Sequence, residues 1–489
     1  MDPARRETHT AVVILVGDRA YKVKKPVRLA FLDFSTLAAR RAAAAREIAL
    51  NRRLSPDVYL GIGTWLDPGE PGDPTADAGE PVVVMRRMPD DRRLAALVDH
   101  PGPAHDRVRT EIRAVARRIA AFHARATRSR AIDTAGLPET VRAKFLADWV
   151  QLRVLVRDPD RAGQVATVGR LGRAYLAGRA PLLADRIRSG CVVDGHGDLL
   201  ADDIFCLDDG PRILDCLEFD DRLRWGDVLA DVAFLAMDLE RLGAAPLADA
   251  LLADYREFAG GTHPSSLAHF HVAARALVRA KIAALRDRQG DPDAGSDVRV
   301  LLDLAVAHLE RGRITCVLVG GGPGTGKSTH ARALAPGLDA VVLAADEVRK
   351  ELAGLPHDAA APAGFRSGIY TDAHTTATYT ELVARARHLL THGTSVVLDA
   401  SWSHAAHREA ARAMAAATHS ELGELECTVA PGIAATRIAR RRPHAPSDAT
   451  PAVATAMRSA AAPWPSAVRI DTDAPRATVV AAARRAVRR

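Results

Sequence analysis

The chain has 489 residues, 48% hydrophobic and 26% charged, with a formal net charge of +7. That length exceeds one ordinary core, so two or three domains of soluble globular type are expected. With no apolar run of membrane-spanning length, no secretory segment at the N-terminus and five scattered cysteines (191, 206, 216, 316 and 427), a cytoplasmic protein with reduced thiols is expected.

In chain order, Ala11 to Val16 and Ala20 to Lys25 read as strands joined by a Gly17-Asp18 hairpin turn. A helix follows from about Thr36 to Leu54, then strands at Tyr59 to Leu66 and Pro81 to Met88 around a Pro/Gly/acid-rich surface loop, Asp67 to Glu80. Helical stretches cover about 104–128, 138–157 and 164–188. Short strands are expected at 191–193, 204–207 and 213–217, and helices again from Asp227 to Leu309. From Arg313 strands alternate with helices, at 314–319, 340–344, 395–399, 424–429 and 467–471, which is the pattern of a parallel α/β domain. The expected domains are 1–311 and 312–489.

Gly321-Gly322-Pro323-Gly324-Thr325-Gly326-Lys327-Ser328 is a complete G-x-x-x-x-G-K-[ST] loop between a strand and a helix that opens near Thr329. Its glycines let backbone N–H groups wrap around phosphates, Lys327 can reach the β- and γ-phosphates, and Ser328 can hold Mg²⁺. Asp346 ends the next strand three residues before Arg349. It reads either as a helix N-cap or as a base for an acceptor hydroxyl, with Arg349 gripping the acceptor. Asp399 ends Val396-Val397-Leu398 and can order Mg²⁺. Arg437, Arg440, Arg441 and Arg442 precede Pro443, as either a solvated face or a lid over the triphosphate. These residues resemble the small P-loop kinases that include gluconate kinase, polynucleotide kinase and the zeta toxins. The resemblance covers about 313–472 and implies that Asp346 is the catalytic base.

A second motif lies upstream. His196-Gly197-Asp198-Leu199 matches the kinase catalytic loop H-R-D-L with Gly in the second place, and Asp203 stands where Asn is expected. Asp198 would meet the acceptor hydroxyl and Asp203 would offer Mg²⁺ an oxygen. For the second metal carboxylate Asp215 fits the strand pattern, whereas Glu218 fits the downstream spacing better, since Gly226-Asp227 and Asp231 resemble the G-D-x-x-x-D tail of such kinases, and Glu218 is slightly preferred. Lys22, or Lys24 on the same strand face, is the phosphate-pairing lysine, and Glu47 is its ion-pair partner. The H-G-D form resembles aminoglycoside phosphotransferases and choline-kinase-like enzymes. A Gly-rich loop before Lys22 is missing, which leaves an inactive, regulatory first site open. The whole chain resembles the bacterial bifunctional aminoglycoside phosphotransferase-like/ATP-binding proteins. An α+β protein-kinase-like domain followed by an α/β P-loop NTPase domain of AAA type is implied, with ATP and Mg²⁺ as cofactors and a hydroxyl-bearing small molecule as acceptor. The net positive charge raises a nucleic-acid-stimulated ATPase as a rival. Against it, arginine is spread among acids along the chain and no nucleic-acid motif is present.

Overall fold

The computed structural model describes residues 4–7, 10–29, 32–65, 79–99, 105–359, 364–440 and 449–487. The chain forms two compact units. One comprises Met1–Val168, Leu183–His263 and Ala268–His308; the other comprises Gly169–Leu182, Pro264–Leu267 and Leu309–Arg489. Among the described residues no helix is long and apolar enough to cross a membrane, and all five cysteines are free thiols.

The first unit begins with an antiparallel five-stranded sheet in the order Ala4–Glu7, Ala11–Val16, Arg19–Lys24, Glu80–Arg86, Tyr59–Trp65. Gly17 makes the first tight turn with φ +56, a conformation open to glycine. Helix Leu37–Asn51 starts at Thr36, whose hydroxyl accepts from the Ala39 N–H. Its buried positions Ala44, Glu47, Ile48 and Asn51 recur at helical spacing. Ala44 and Ile48 pack with Leu15, Ala20, Val83 and Met85 of the sheet. Glu47 lies on this same apolar stripe, so it is fully buried.

The rest of this unit is mainly helical, with two short antiparallel pairs: Val192–Asp194 with Trp225–Asp227, and the hairpin Ile204–Leu207 with Gly210–Ile213. Two expectations are corrected. The stretch 164–188 is two helices, Pro159–Gly178 and Ala180–Arg188, interrupted at Arg179. The expected strand 213–217 stops at Ile213, because Asp215 adopts φ +60 and cannot continue a ladder.

The second unit is a five-stranded parallel sheet ordered Ala340–Ala344, Ser395–Asp399, Thr315–Gly320, Glu421–Thr428, Val468–Asp471. Strand residues alternate between two covered faces. Val317, Val319, Val397 and Leu425 meet helices Lys327–Leu334 and Arg476–Val487. Helices Asp372–Thr391 and Ala405–Ala417 also contact the sheet. This order places the carboxyl ends of Thr315–Gly320 and Ser395–Asp399 side by side, where open α/β sheets bind ligands. Within this unit Arg179 is fully buried. It donates to the carbonyl oxygens of Leu390, Thr418 (2.7 Å) and His419 (3.4 Å). Ser266 Oγ donates to the carbonyl of Gly393 at 2.6 Å.

Candidate active sites

In the first unit both strand lysines reach the same buried carboxylate. Lys22 Nζ lies 2.9 Å from Glu47 Oε1, and Lys24 Nζ lies 2.7 Å from Glu47 Oε2. This follows from period-two geometry, which puts residues 22 and 24 on one strand face. Each lysine then takes its own second acid. Lys22 Nζ is 2.6 Å from Asp215 Oδ1, and Lys24 pairs with Glu218. The two open choices of the sequence are therefore not exclusive. Glu218 is largely buried against Lys24, while Asp215 is half exposed beside Lys22. Burial alone would raise the Glu47 carboxyl; Lys22 and Lys24 more than offset this and hold it below its ordinary value.

The His196–Asp198 loop is held by Asp231. Its carboxylate accepts from the backbone N–H of His196 (2.6 Å) and of Gly197 (2.9 Å). Asp231 is therefore a brace for the loop. Burial raises its carboxyl, but His123 and the backbone hydrogen bonds outweigh this and hold it well below the usual range. Gly195 permits this approach, since a Cβ there would lie 2.2 Å from Asp231 Oδ2. His196 is buried, donates from Nε2 to the Leu214 carbonyl at 3.0 Å, and is pushed down to about 4 by burial, so it is neutral. Arg53 donates to the carbonyls of Asp194 (3.1 Å) and Gly195 (2.8 Å). Arg224 binds Asp194 at 2.8 Å and the Leu217 carbonyl at 2.8 Å.

Asp198 stands at the end of this braced loop. Burial, with Asp215 and Asp238, pushes its carboxyl up to about 6 against the pull of Arg279 and Arg275. Asp203 is driven well above the ordinary value by burial and by the charges of Asp215 and Asp198. Three acids that repel one another in this way make a place for a cation. Among the described residues, however, no group of three or more His, Cys, Asp or Glu side chains is already arranged at metal-holding distance.

In the second unit a cavity of about 490 Å³ opens at the carboxyl end of the sheet. Gly321, Pro323, Gly324, Gly326, Lys327, Ser328 and Thr329 of the loop line it, together with Asp346, Arg349, Asp399 and Arg437. Gly322 and Thr325 complete the loop, with Thr325 Oγ1 donating to the Gly322 carbonyl at 2.8 Å. Gly326 is the N-cap residue of helix Lys327–Leu334, with φ +84. Gly324 is constrained twice, by φ +79 and by a Cβ position 2.5 Å from the Ala434 carbonyl oxygen. Gly324→Ala is expected to displace the loop and lower ATP affinity at this site by roughly tenfold or more, from about 1–3 kcal/mol of strain. Equilibrium nucleotide titration of the variant checks this.

Asp399 is buried, and its Oδ1 has no hydrogen-bond partner. Burial raises its carboxyl, while Lys327 and the Ser328 hydroxyl pull it down. An orphaned carboxylate oxygen beside a hydroxyl and a loop lysine suits Mg²⁺. Asp346 sits in the first turn of helix Ala345–Leu352, but Ala344 is the N-cap, so the capping alternative is corrected. Arg349 is buried, stacks 4.9 Å from the Tyr370 ring centroid, and donates to the Ile369 carbonyl and Thr375 Oγ1, each at 3.1 Å. Its Nε is buried without a partner. Arg437 donates to Thr472 Oγ1 (3.1 Å) and O (3.0 Å), and Thr472 in turn donates to the Thr325 carbonyl at 2.7 Å. Arg440 ends helix Pro431–Ala439 and is exposed, while Arg441 and Arg442 lie outside the described residues.

Sequence reasoning missed several residues that shape these sites: Arg53, His123 and Arg224 around the loop, Tyr379 and Ser401 in the cavity lining, and Thr472 between Arg437 and Thr325, while Asp231 was noted only for its spacing. Tyr379 stacks on His407 at 4.0 Å and its hydroxyl meets Ser401 Oγ at 3.1 Å. Single arginines, histidines and tyrosines carry no local spacing signal.

The first unit thus has a protein-kinase-like fold, with its lysine strand, glutamate helix and His-Gly-Asp loop. The second is a P-loop domain on a parallel five-stranded sheet, and the AAA domain family model matches residues 316–464. A choline/ethanolamine kinase family protein from Mesorhizobium loti matches with 18% identity and TM-score 0.39, over 63% of this chain and 88% of that one. A gluconokinase from Sinorhizobium meliloti 1021 matches with 18% identity and TM-score 0.27, over 36% and 93%. The strand orders and motif geometry above define the class: a two-unit, nucleotide-binding, kinase-like protein.

Among curated proteins, Rv2004c of Mycobacterium tuberculosis and Mb2027c of Mycobacterium bovis, both described as uncharacterized, are 43% identical over 471 residues, 96% of this chain and 92% of each relative. The chain belongs to the same family as these mycobacterial proteins.

Proposed function

We propose that the chain is an ATP-dependent phosphotransferase with two Mg²⁺–ATP sites, each moving a γ-phosphoryl group to a hydroxyl of a small molecule. The observation that carries this reading is the convergence of Lys327, Ser328, Asp346, Arg349 and Asp399 on one cavity. Lys327 and the loop N–H groups hold the β- and γ-phosphates. Mg²⁺, held by Ser328 and Asp399, supplies charge neutralisation on the phosphate oxygens. Asp346 accepts the proton of the acceptor hydroxyl as its oxygen attacks the γ-phosphorus; the bond to the bridging oxygen breaks and ADP leaves. Arg349 orients the acceptor, and Arg437 faces the triphosphate from the other side.

In the first unit Lys22, ordered by Glu47, meets the nucleotide phosphates. Asp198 accepts the acceptor proton, and Asp203 with Asp215 holds Mg²⁺. Both acids pair with a lysine, but Asp215 is half exposed and acts on Asp203 and Asp198, whereas Glu218 is largely buried against Lys24; that favours Asp215 here. The test is phosphate transfer by the full chain over sugars, aminoglycosides, nucleosides and polynucleotides. Asp346→Asn is expected to lower kcat at the second site by roughly 10²–10⁴-fold with ATP affinity retained. Unchanged kcat with every acceptor used at that site would sink the assignment. If Asp198→Ala changes transfer to none of the acceptors, the first unit is a nucleotide-binding regulator.

A further inference from the structure

A second cavity, of about 90 Å³, lies in the first unit between helices Pro138–Leu155 and Ser265–Arg288 and the Trp225–Asp227 strand. Its charged lining is Lys144, Asp148, Arg186, Asp227 and Arg275, with His271. The two acids are already neutralised. Asp148 pairs with Lys281 at 2.6 Å, and Asp227 pairs with Arg186 at 2.7 Å. Lys144 and Arg275 are thus the lining cations without an ion pair among the described residues, although Asp148 and Asp231 act on both from a distance. Arg275 gives one N–H to the Ala230 carbonyl at 3.1 Å and lies over the Phe234 ring, with no carboxylate partner among the described residues. His271 is 7% exposed, and its Nε2 has no hydrogen-bond partner.

Arg275 also acts on the Asp198 carboxylate, as does Arg279 one helical turn further on. Geometry links the two places: Arg275 binds the carbonyl of Ala230, the residue before Asp231, and Asp231 braces the loop that carries Asp198. Lys144 is itself an exposed residue, yet crowding on its cavity side and the charge of Arg275 push its ammonium down to about 8. An anion seated between the two would remove that repulsion. The volume suits one small group of a few heavy atoms and is far below the roughly 300 Å³ or more of a drug-sized ligand site.

We propose that the acceptor phosphorylated at Asp198 is an anionic hydroxyl compound, a hydroxy acid or a sugar phosphate, whose carboxylate or phosphate is bound by Lys144 and Arg275 with His271 Nε2. This rests on the reading of Asp198 as the catalytic base. A cationic acceptor, such as an aminoglycoside or an amino alcohol, would meet like charge here and be excluded.

The test uses the full chain carrying Lys327→Ala, so that the second site is silent. Phosphate transfer is measured with glycerate and gluconate, with ribose 5-phosphate, and with ethanolamine and kanamycin. Asp198-dependent transfer to the hydroxy acids or to the sugar phosphate is expected, and which of the two is used identifies the anion. Lys144→Met should raise KM for that acceptor about tenfold or more with kcat little changed. Equal or better transfer to ethanolamine or kanamycin, or an unchanged KM in Lys144→Met, overturns the proposal. Calorimetric titration with inorganic phosphate and with malonate separates binding from turnover. Anion binding that is lost in Lys144→Met, without Asp198-dependent transfer to any acceptor, upholds the anion subsite and rejects Asp198 as the base. Absence of anion binding overturns the subsite itself.

Discussion

Lys327→Ala is expected to cut phosphate transfer at the second site by roughly 10²–10³-fold or more while leaving the melting temperature nearly unchanged. The lysine is partly exposed at the rim of the 490 Å³ cavity and forms no ion pair among the described residues. Its removal leaves no buried charge behind, so stability has little reason to move. The phosphates lose the one mobile cation that reaches them from the loop, and Asp399, whose carboxyl Lys327 helps keep ionised, loses that support. Measuring turnover in an Asp198→Ala background isolates this site. Wild-type transfer there by the lysine variant would show that the loop is not catalytic.

Glu47→Ala should act in the opposite manner, on stability and activity together. Glu47 is fully buried and is the shared counter-ion of Lys22 and Lys24. Deleting it leaves two ammonium groups crowded on one strand face with only Asp215 and Glu218 to balance them. Breaking a buried pair costs about 3–5 kcal/mol, and the first unit should unfold correspondingly earlier in denaturant. Its nucleotide affinity should fall at the same time, because Lys22 loses its orienting partner. Since the folded-state pKa of Glu47 lies below the unfolded one, its contribution is present above about pH 4.3 and is lost as pH falls through the lower folded value. Denaturation of wild type and variant across that window should therefore converge on acidification. An unchanged denaturation midpoint in Glu47→Ala at neutral pH would show that the two lysines do not depend on it.

Both folds were legible because their signals are local. A glycine-rich loop between strand and helix, a parallel strand rhythm after Arg313, and the order lysine, glutamate, His-Gly-Asp can all be read along the chain. The pairing inside the first site was not, since whether Lys22 or Lys24 meets Glu47 depends on how helix Leu37–Asn51 lies across the sheet. Both do, and that is a fact of packing. Asp215 misled because Ile213-Leu214-Asp215 has strand composition, yet backbone strain at Asp215 ends the ladder. The cavity proposed to bind an anion was invisible, as Lys144 and Arg275 lie 131 residues apart on two helices that only the tertiary fold brings together.

Arg179 has a consequence for how this protein can be divided. It sits 130 residues before Leu309, where the long segment of the second unit begins, yet its guanidinium donates to three backbone carbonyls, of Leu390, Thr418 and His419, within that unit. A fragment starting at residue 312 would lack that arginine and the 169–182 and 264–267 segments, exposing the carbonyls it satisfies. The P-loop unit is consequently no detachable cassette. Proteolysis or gene truncation near residue 311 would separate it from part of its own interior and leave those carbonyl oxygens without their donor.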